Sequence, residues 1–329
     1  MSNPFATSTS LPGHGAIVLA VLPPNRPVLS TLSFQYPLKL IAPAATYLPN
    51  DTKPGLSSTV HTVFLLTYGG GLVAGDSIDL RVVLAPETRL ILLTQGSTKI
   101  FKSPSHDIVT TQTTLVEVRH DAALCYLPDP VQPFGESAFE QKQIYNIVGT
   151  KANLCVCDWV SEGRTARGEK WSFRTYTSRN EVWLVDSQKK RRLLLRDNMI
   201  LNDCSGAAAE TVASRMKDLG VYGTLILCGN MFRMLGSYFM TEFKALPQIG
   251  SRQWDVPEKL TPEEAERASR VEQEKTDGVV WTAATVRGFV VVKFGAREVE
   301  GAKSWLRHML KIDGTVEQEF GEQALLCLR

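Results

Sequence analysis

One stretch of the chain constrains the fold more than any other, because its apolar side chains recur at every second position. In the segment 77–84, SIDLRVVL, these positions are Ile78, Leu80, Val82 and Leu84. Successive side chains of a β-strand point to opposite faces, so this spacing predicts a strand with one buried face. A turn at 85–88 and a more apolar strand over 90–94 are predicted to follow.

Similar stretches fill most of the chain between residues 15 and 200. β-Branched and aromatic residues, which favour strands, are frequent in the segments 113–119, 153–160 and 170–185. The chain also has 24 glycines and 17 prolines, residue types that are typical of turns. A basic run at 188–192 is typical of a solvated hairpin tip. The sequence therefore predicts a mainly β fold with many short strands.

The last third of the chain adds helices to this pattern. Apolar residues at helical spacing predict helices over 207–219, from Asn230 as the N-cap, and over 299–310. Strands are predicted at 221–228 and in a hairpin around Arg287-Gly288. The final segment, 324–329, is predicted to be either an interaction tail or a docked strand.

A charged segment near 257–277 interrupts this region. Thr261-Pro262-Glu263-Glu264 predicts a capping box with proline at the first helical position. The apolar stripe of the helix consists only of Ala265, Ala268 and Val271. Such a helix has little apolar surface to bury, so we expect an exposed helical insertion.

Composition and charge limit the classes of function. The 329 residues carry 36 Lys and Arg against 34 Asp and Glu, and a net charge of +2 argues against nucleic-acid binding through bulk charge. The apolar run 16–22 is too short to span a membrane and lacks the basic flank of a secretory signal. We expect a cytoplasmic protein with a flexible N-terminus, 1–14, and a single domain over 15–329.

The cysteines and histidines form no recognisable metal motif. Cys155 and Cys157 are separated by one residue, whereas redox and zinc-knuckle sites use C-x-x-C. In a strand both side chains face one side, either as two small buried hydrophobes or as half of a soft-metal site. The sequence leaves both interpretations open. The five histidines are scattered along the chain.

The densest motif is LTYGGGLVAGD, at 66–76. Glycine permits positive φ and close approach of two backbones, and the amides of such a loop can face an anion. A phosphate-binding loop requires Gly-Lys-Ser/Thr and then a helix, whereas Gly75 precedes Asp76 and a predicted strand. A dinucleotide-binding loop is excluded for the same reason.

A second polar block, TQGSTKIFKS at 94–103, follows the strand 90–94. Its Ser97, Thr98 and Lys99 suggest a hydroxyl nucleophile paired with a lysine, but the local sequence places no histidine or acid beside them as a base. The other interpretation is a structured loop that forms backbone hydrogen bonds.

Taken in order, the two blocks resemble motifs of the UreD family of urease accessory proteins, called UreH in some bacteria. The first block is similar to a GGxVxGD segment of the family, and the second to a T-x-x-x-TK segment. The matching residues are Gly70, Gly71, Gly75, Asp76, Thr94, Gln95, Thr98 and Lys99. Further similarity at 36–39, 126–128 and 193–197 extends the resemblance over most of the chain to about Cys228. Tyr68-Gly69 and the charged segment depart from compact bacterial members, and the length is typical of fungal or plant members.

The resemblance implies both a fold and a function. The fold is a mainly β scaffold of stacked sheets, similar to a β-helix, with a few appended α-helices. The function is that of a non-catalytic chaperone for nickel insertion into apo-urease, which belongs to nitrogen metabolism. The implied partners are UreF-like and UreG-like proteins, the latter a GTPase, and the urease apoprotein, in an assembly that is expected to be dimeric. Ni²⁺ is bound transiently and no cofactor is held tightly, and neither nucleic acid nor a membrane is a partner.

The resemblance also implies a water-filled passage for nickel through the scaffold. By position, Asp76 is its acidic residue and candidate nickel ligand, and Thr98 is a hydroxyl that lines it. A third position falls on Arg196, whose charge would repel Ni²⁺, and the neighbouring Asp197 is expected to take its place. An ion in transit needs oxygen groups that bind it weakly enough to release it, and carboxylates with hydroxyls meet that need.

Two other hypotheses remain open. The first is a β-rich protein-interaction module without metal transit. The second is a β-rich hydrolase that uses Thr98 with Lys99, or a Cys/His pair, and it requires a base within hydrogen-bond reach of the nucleophile.

Overall fold

Strands dominate the described residues up to 202, and within the described ranges α-helices occur only after that point. The computed structural model describes residues 11–48, 59–105, 107–149, 151–202, 210–246 and 261–329. The strands in these ranges are β1 (His14–Leu22), β2 (Arg26–Phe34), β3 (Leu38–Ile41), β4 (Thr46–Tyr47), β5 (Thr59–Thr67), β6 (Gly71–Leu72), β7 (Ser77–Leu84), β8 (Arg89–Thr94), β9 (Lys99–Ile100), β10 (Thr110–Val118), β11 (Ala123–Tyr126), β12 (Gln132–Pro133), β13 (Ala138–Val148), β14 (Asn153–Ser161), β15 (Thr175–Val185), β16 (Arg191–Asn202), β17 (Val221–Cys228), β18 (Val280–Val286) and β19 (Phe289–Ala296). The α-helices are α1 (Val212–Met216), α2 (Arg233–Lys244), α3 (Pro262–Asp277), α4 (Val299–Asp313) and α5 (Thr315–Phe320).

Parallel strands wind the middle of the chain into a coil with three faces. One face is formed by β5, β8, β11 and β14, a second by β6, β9 and β12, and a third by β7, β10, β13 and β15. Successive turns of the coil start at Thr59, Arg89, Ala123 and Asn153. The mainly β fold with stacked sheets, which the resemblance implied, is therefore confirmed.

Further strands extend the two larger faces at both ends of the coil, and all of these pairings are antiparallel except that of β1 with β7, which is parallel. The third face becomes a seven-stranded sheet through β1 and β2 on one side and β16 on the other. The first face becomes a nine-stranded sheet through β3 and β4 at one end and β17, β19 and β18 at the other. Helices α2 and α4 pack against the β17–β19 end of that sheet.

The nine-stranded sheet lies between two apolar clusters, which explains the composition of its central strand. Along β14 every residue is buried, because one face meets the seven-stranded sheet and the other meets the helices. Leu154 and Val156 belong to the cluster between the sheets, whereas Cys155 and Cys157 belong to the cluster under the helices. The two cysteines are therefore core residues, the first of the two interpretations that the sequence left open.

Several predicted elements agree with the structure and others need correction. The strands at 77–84 and 221–228, the hairpin around Arg287-Gly288 and the hairpin tip at 188–192 are confirmed. The strand predicted over 170–185 begins only at Thr175, and Phe232 rather than Asn230 is the N-cap of α2. The tail is neither free nor a strand, because residues 322–328 form a 3₁₀ helix with buried apolar side chains.

Helix α3 has the predicted capping box and is exposed along most of its length. Thr261 and Glu264 exchange the two hydrogen bonds of the box. The helix contacts the rest of the protein through charged groups, since its buried residues are Arg270 and Glu274. Most other residues of the helix are exposed, as predicted, but the prediction did not anticipate that two charged side chains are buried.

Two further predictions meet the limits of the described residues. Most of the N-terminus predicted to be flexible, 1–14, lies outside them, although β1 already begins at His14. The first part of the helix predicted at 207–219 and residues 257–260 of the charged segment also lie outside. Within the described ranges no helix is long and apolar enough to cross a membrane.

Candidate functional site

The glycine block forms the connection between the nine-stranded and the three-stranded sheets. Gly69 and Gly70 have φ angles of 74° and 75°, which favour glycine, and they lie in a single 3₁₀ turn after β5. Gly71 then enters β6 and pairs with Lys99 of β9. A Cβ atom on Gly71 would lie 2.6 Å from the Lys99 carbonyl oxygen, so this close pairing requires glycine. The structure thus brings the two sequence blocks together.

Asp76 closes the turn at the end of the glycine block. Its Oδ2 accepts a hydrogen bond from the Val73 amide at 2.9 Å, and its own amide donates to the Val73 carbonyl at 3.0 Å. Gly75 precedes it with a φ of 85°. Asp76 is half-buried in this surface turn, and it is not among the residues that line the interior cavity described next.

A narrow cavity lies between the two large sheets, next to the two blocks. Its volume, measured as the space open to the centre of a water molecule, is about 30 Å³, which leaves room for one or two waters. Its polar lining comes from both sheets and from the second block: Thr67, Thr94, Thr98, Gln112, Asp129, Gln141, Gln143 and Asp158. Of the three predicted passage residues, Thr98 lines this cavity, whereas Asp76 and Asp197 do not.

Asp158 is the buried acid at the centre of this polar region. Its carboxylate accepts hydrogen bonds from Gln141 Nε2 at 2.9 Å, Ser178 Oγ at 2.6 Å and Asn180 Nδ2 at 2.6 Å. Burial raises the pKa of Asp158, while the hydrogen bonds act in the opposite direction. The sequence analysis did not identify Asp158, although a lone acid in the otherwise apolar run LCVCDWV is a signal that could have found it.

Asp197 continues the polar region towards the edge of the sheets. Its two carboxylate oxygens contact Lys293 Nζ at 2.6 Å and Thr224 Oγ1 at 3.0 Å, both from the nine-stranded sheet. Thr224 in turn pairs with Asp158 across neighbouring strands. Asp158, Asp197, Thr224 and Lys293, with Gln141, Ser178 and Asn180, therefore form a polar layer between the sheets.

Arg196 points away from this layer. Its Nε lies 3.1 Å from Glu181 Oε1, and because side chains alternate along a strand, Arg196 and Asp197 lie on opposite faces of β16. The Arg196 guanidinium, whose charge would repel Ni²⁺, is therefore on the other side of the sheet.

The polar layer contains one buried atom that calls for water. Asn180 Oδ1 has no hydrogen-bond partner within the described part of the chain, and water is the partner that such an atom requires.

The described residues of the site do not include a cluster of typical metal ligands. No group of three or more His, Cys, Asp or Glu side chains is placed there to hold a metal ion. Burial raises the pKa of the Cys157 thiol well above its usual range, and the adjacent Asp158 adds to that rise, so the thiol stays protonated at neutral pH. The polar layer can solvate an ion weakly but has no cage that would retain one.

The geometry gives no support to a hydrolase. The cavity beside Thr98 is lined by no histidine among the described residues. Lys99, the lysine proposed to pair with Thr98, is exposed. It is the first residue of β9, and its backbone pairs with Gly71 and Gln132. The carboxylates of Asp129 and Asp158 also line the cavity, but their hydrogen bonds go to other groups than Thr98, and a hydroxyl nucleophile without a base within hydrogen-bond reach is not activated.

Comparisons with known proteins give a consistent result. The family model described as UreD urease accessory protein matches residues 13–327. The chain is 31% identical to urease accessory protein 4 of Cryptococcus neoformans, over 92% of this chain and 91% of that protein. It is 30% identical to an uncharacterized UreD-like urease accessory protein of Schizosaccharomyces pombe, over 83% and 84% of the two chains. It is also 33% identical to urease accessory protein D of Arabidopsis thaliana, over 59% of this chain and 61% of that protein.

Proposed function

Because the chain belongs to the UreD family of urease accessory proteins, whose members are accessory proteins rather than enzymes, we propose that it is a non-catalytic scaffold for nickel insertion into apo-urease. In this proposal it acts in the cytoplasm in a complex with a UreF-like protein and a UreG-like GTPase, and Ni²⁺ is a transient cargo. The assembly as a dimer belongs to the same proposal.

The observation that carries the proposal is the polar layer with its adjoining cavity. The interior of a β-sandwich is normally apolar, as it is around Leu80, Val82 and Val116 of this protein. Near Thr98 and Asp158 the same space is instead lined in part by carboxylates, amides and hydroxyls. Such groups supply the oxygen ligands and water that a divalent cation needs in transit.

Exposed aromatic groups near the glycine block support the part of the proposal that concerns partners. Tyr36 is 61% exposed and Tyr68 is 45% exposed, and their ring centroids lie 5.6 Å apart. Val73 in the next turn is also exposed. Clustered exposed apolar groups are typical of protein-interaction sites. A partner that docks at this end of the coil would lie beside the cavity, which is where a cargo has to be handed over.

The proposal is tested by co-expression of the urease subunits and the other accessory proteins with and without this chain. Nickel content and urea hydrolysis of the purified urease are the two readouts. We expect both to fall strongly when the chain is omitted. Urease that acquires its full nickel content without this chain would contradict the proposal.

Variants at Thr98 then test the passage itself. Thr98→Leu adds apolar bulk to a cavity of about 30 Å³ and is expected to lower nickel content, while the chain still co-purifies with its partners. Thr98→Ser keeps the hydroxyl and serves as the matched control. Asp76→Ala tests the predicted acidic position in the same assay, and normal activation by that variant would remove Asp76 from the path.

A second candidate function is a protein-interaction module without metal transit. It is favoured by the two lysines that already neutralise carboxylates of the interior, Lys293 on Asp197 and Lys303 on Asp129. Full activation of urease by Thr98→Leu, with the chain itself still required, would select this function over nickel transit.

A further inference from the structure

Asp129 lies at the boundary between the interior cavity and the surface. The residue follows β11 and lines the cavity between the sheets. It also lines a surface pocket of about 560 Å³, whose wall includes Lys303 of α4 and Cys327 of the C-terminal 3₁₀ helix. Thr94 is likewise shared by the cavity and the pocket. Asp129 and Thr94 are therefore the groups that an ion would meet on moving from this pocket into the cavity.

The Asp129 carboxylate already has a cation bound to it. Its Oδ1 lies 2.9 Å from Lys303 Nζ, and the two side chains are only 7% and 15% exposed. Its Oδ2 accepts hydrogen bonds from Thr94 Oγ1 at 3.1 Å and from the Gly96 amide at 3.0 Å. The carboxylate is thus held in place by the second sequence block, while its charge is neutralised by a side chain from a different element.

The nature of that cation makes it replaceable. A lysine ammonium is a point charge on a flexible stem, and it lacks the two-pronged geometry with which arginine holds a carboxylate. The adjacent pocket provides space into which the Lys303 stem can rotate. In a setting this poorly solvated, a second cation and the ammonium repel each other strongly at the same carboxylate, so their binding is mutually exclusive.

The neighbouring thiol does not convert this position into a tight site. Cys327 Sγ donates to the Thr94 carbonyl at 3.3 Å, and burial together with the charge of Asp129 raises the pKa of Cys327 to about 12. The thiol is therefore protonated at neutral pH and is a poor metal ligand. One carboxylate with hydroxyl and carbonyl oxygens binds a divalent cation weakly, and such binding is compatible with release.

We propose that Asp129 is a divalent-cation site at the mouth of the interior cavity and that Lys303 is the resident cation that closes it. A metal ion passes from the surface pocket into the cavity only when the Lys303 ammonium leaves the carboxylate. This inference rests on the proposed function, because it identifies where the cargo of that function would cross from the surface to the interior.

The test is nickel binding to the full chain, measured by equilibrium dialysis with Ni²⁺ alone. Lys303→Met removes the ammonium and keeps the stem, and we expect it to bind Ni²⁺ about tenfold or more tightly than the unmodified chain. Lys303→Arg keeps the charge and is expected to bind no more tightly than the unmodified chain. The gain should disappear in the double variant with Lys303→Met and Asp129→Asn.

A matched control comes from the same helix. Lys311 of α4 forms a more exposed ion pair with Glu317 at 3.2 Å, away from the cavity and the pocket. Lys311→Met should leave nickel affinity unchanged. If Lys303→Met does not fold, Lys303→Gln carries the same test with a polar side chain in the pocket. Unchanged nickel affinity in the folded Lys303 variant, or an equal gain in Lys311→Met, would overturn the inference.

Co-expression with urease separates a failure of this inference from a failure of the proposed function. With Lys303→Met we expect half-maximal urease activation at a lower nickel concentration in the medium. If the chain is required for activation, but Lys303→Met neither binds nickel more tightly nor lowers the nickel concentration for half-maximal activation, only the closing role of Lys303 is refuted. If urease is activated without the chain, the proposed function itself falls.

Discussion

Substitution of Arg270 tests whether charged groups hold helix α3 in place. The Arg270 side chain is only 4% exposed, and it lies between two glutamates. Its Nη2 is 3.0 Å from Glu242 Oε2 of α2, and its Nε is 3.3 Å from Glu274 Oε1 of α3 itself. The guanidinium also lies 5.7 Å from the centre of the Trp281 ring. Arg270→Met removes the charge while it keeps a side chain of similar length.

The expected loss follows from what remains around the two glutamates. Glu242 keeps a two-pronged contact with Arg267, at 2.8 and 2.7 Å. Glu274 keeps the indole donors of Trp281 and Trp305 but loses its nearest cation. Removal of one partner of a buried ion pair costs about 3–5 kcal/mol, and the surviving Arg267 contact places the loss at the lower end, about 3 kcal/mol.

The loss should depend on pH in a definite direction. Burial already raises the pKa of Glu274, and Arg270 opposes that rise. Without Arg270 the folded protein holds the proton on Glu274 more strongly than the unfolded chain does. The free energy of unfolding of Arg270→Met should therefore recover as the pH falls through the raised pKa of Glu274 in the folded variant towards the pKa of an unfolded glutamate, because the protonated side chain needs no cation.

Urea denaturation gives the global free energy of unfolding, and hydrogen exchange reports whether α3 detaches locally. Lys275→Met is the control on the same helix, because its ion pair with Glu272 is exposed and should contribute less than about 0.5 kcal/mol. A loss below about 1 kcal/mol in Arg270→Met, with exchange in α3 as slow as in the unmodified chain, would refute the role assigned to these charges.

The remaining predictions concern the glycine block and the polar layer. Gly71→Ala should lower the free energy of unfolding by about 1–3 kcal/mol, because the new methyl group would lie 2.6 Å from the Lys99 carbonyl; an unchanged urea midpoint would contradict this. Asp158 has a raised pKa in the folded protein, so the folded state binds more protons than the unfolded state once the pH exceeds about 4. The free energy of unfolding of the unmodified chain should therefore fall relative to that of Asp158→Asn as the pH rises above about 4. If urea denaturation gives the same difference between the two proteins from pH 4 to 7, the pKa of Asp158 is not raised in the folded state.

The strands were predictable because their pattern is local. The alternation of apolar and polar residues at 78–84 and the turn signal at Arg287-Gly288 depend only on residues that are close in sequence. The structure has β7 at the first place and the hairpin of β18 and β19 at the second. The coil itself was not predictable from this pattern. The pairing of β6 with β9, for example, joins Gly71 to Lys99, and nothing within either segment specifies the other as its partner.

The candidate site was predictable only in part, for identifiable physical reasons. Thr98 lines the cavity, although its role there stays a prediction, and the opposite directions of Arg196 and Asp197 follow from strand alternation alone. Asp129 was missed because it lies between two prolines in a segment that reads as an ordinary turn. Its importance arises from contact with Lys303, which is remote in sequence and lies on α4.

The location of the polar layer is difficult to explain by stability alone. Buried ion pairs and carboxylates contribute little net stability, and well-packed apolar residues in their place are often neutral or stabilising. The same two sheets use apolar residues in this way around Leu80 and Val116. The polar groups are instead concentrated where the cavity lies, from Thr98 past Asp158 towards Asp197. A scaffold that only joined partners through its surface would not need polar groups in its interior, whereas the proposed transit of a divalent cation would use their oxygen atoms at this position.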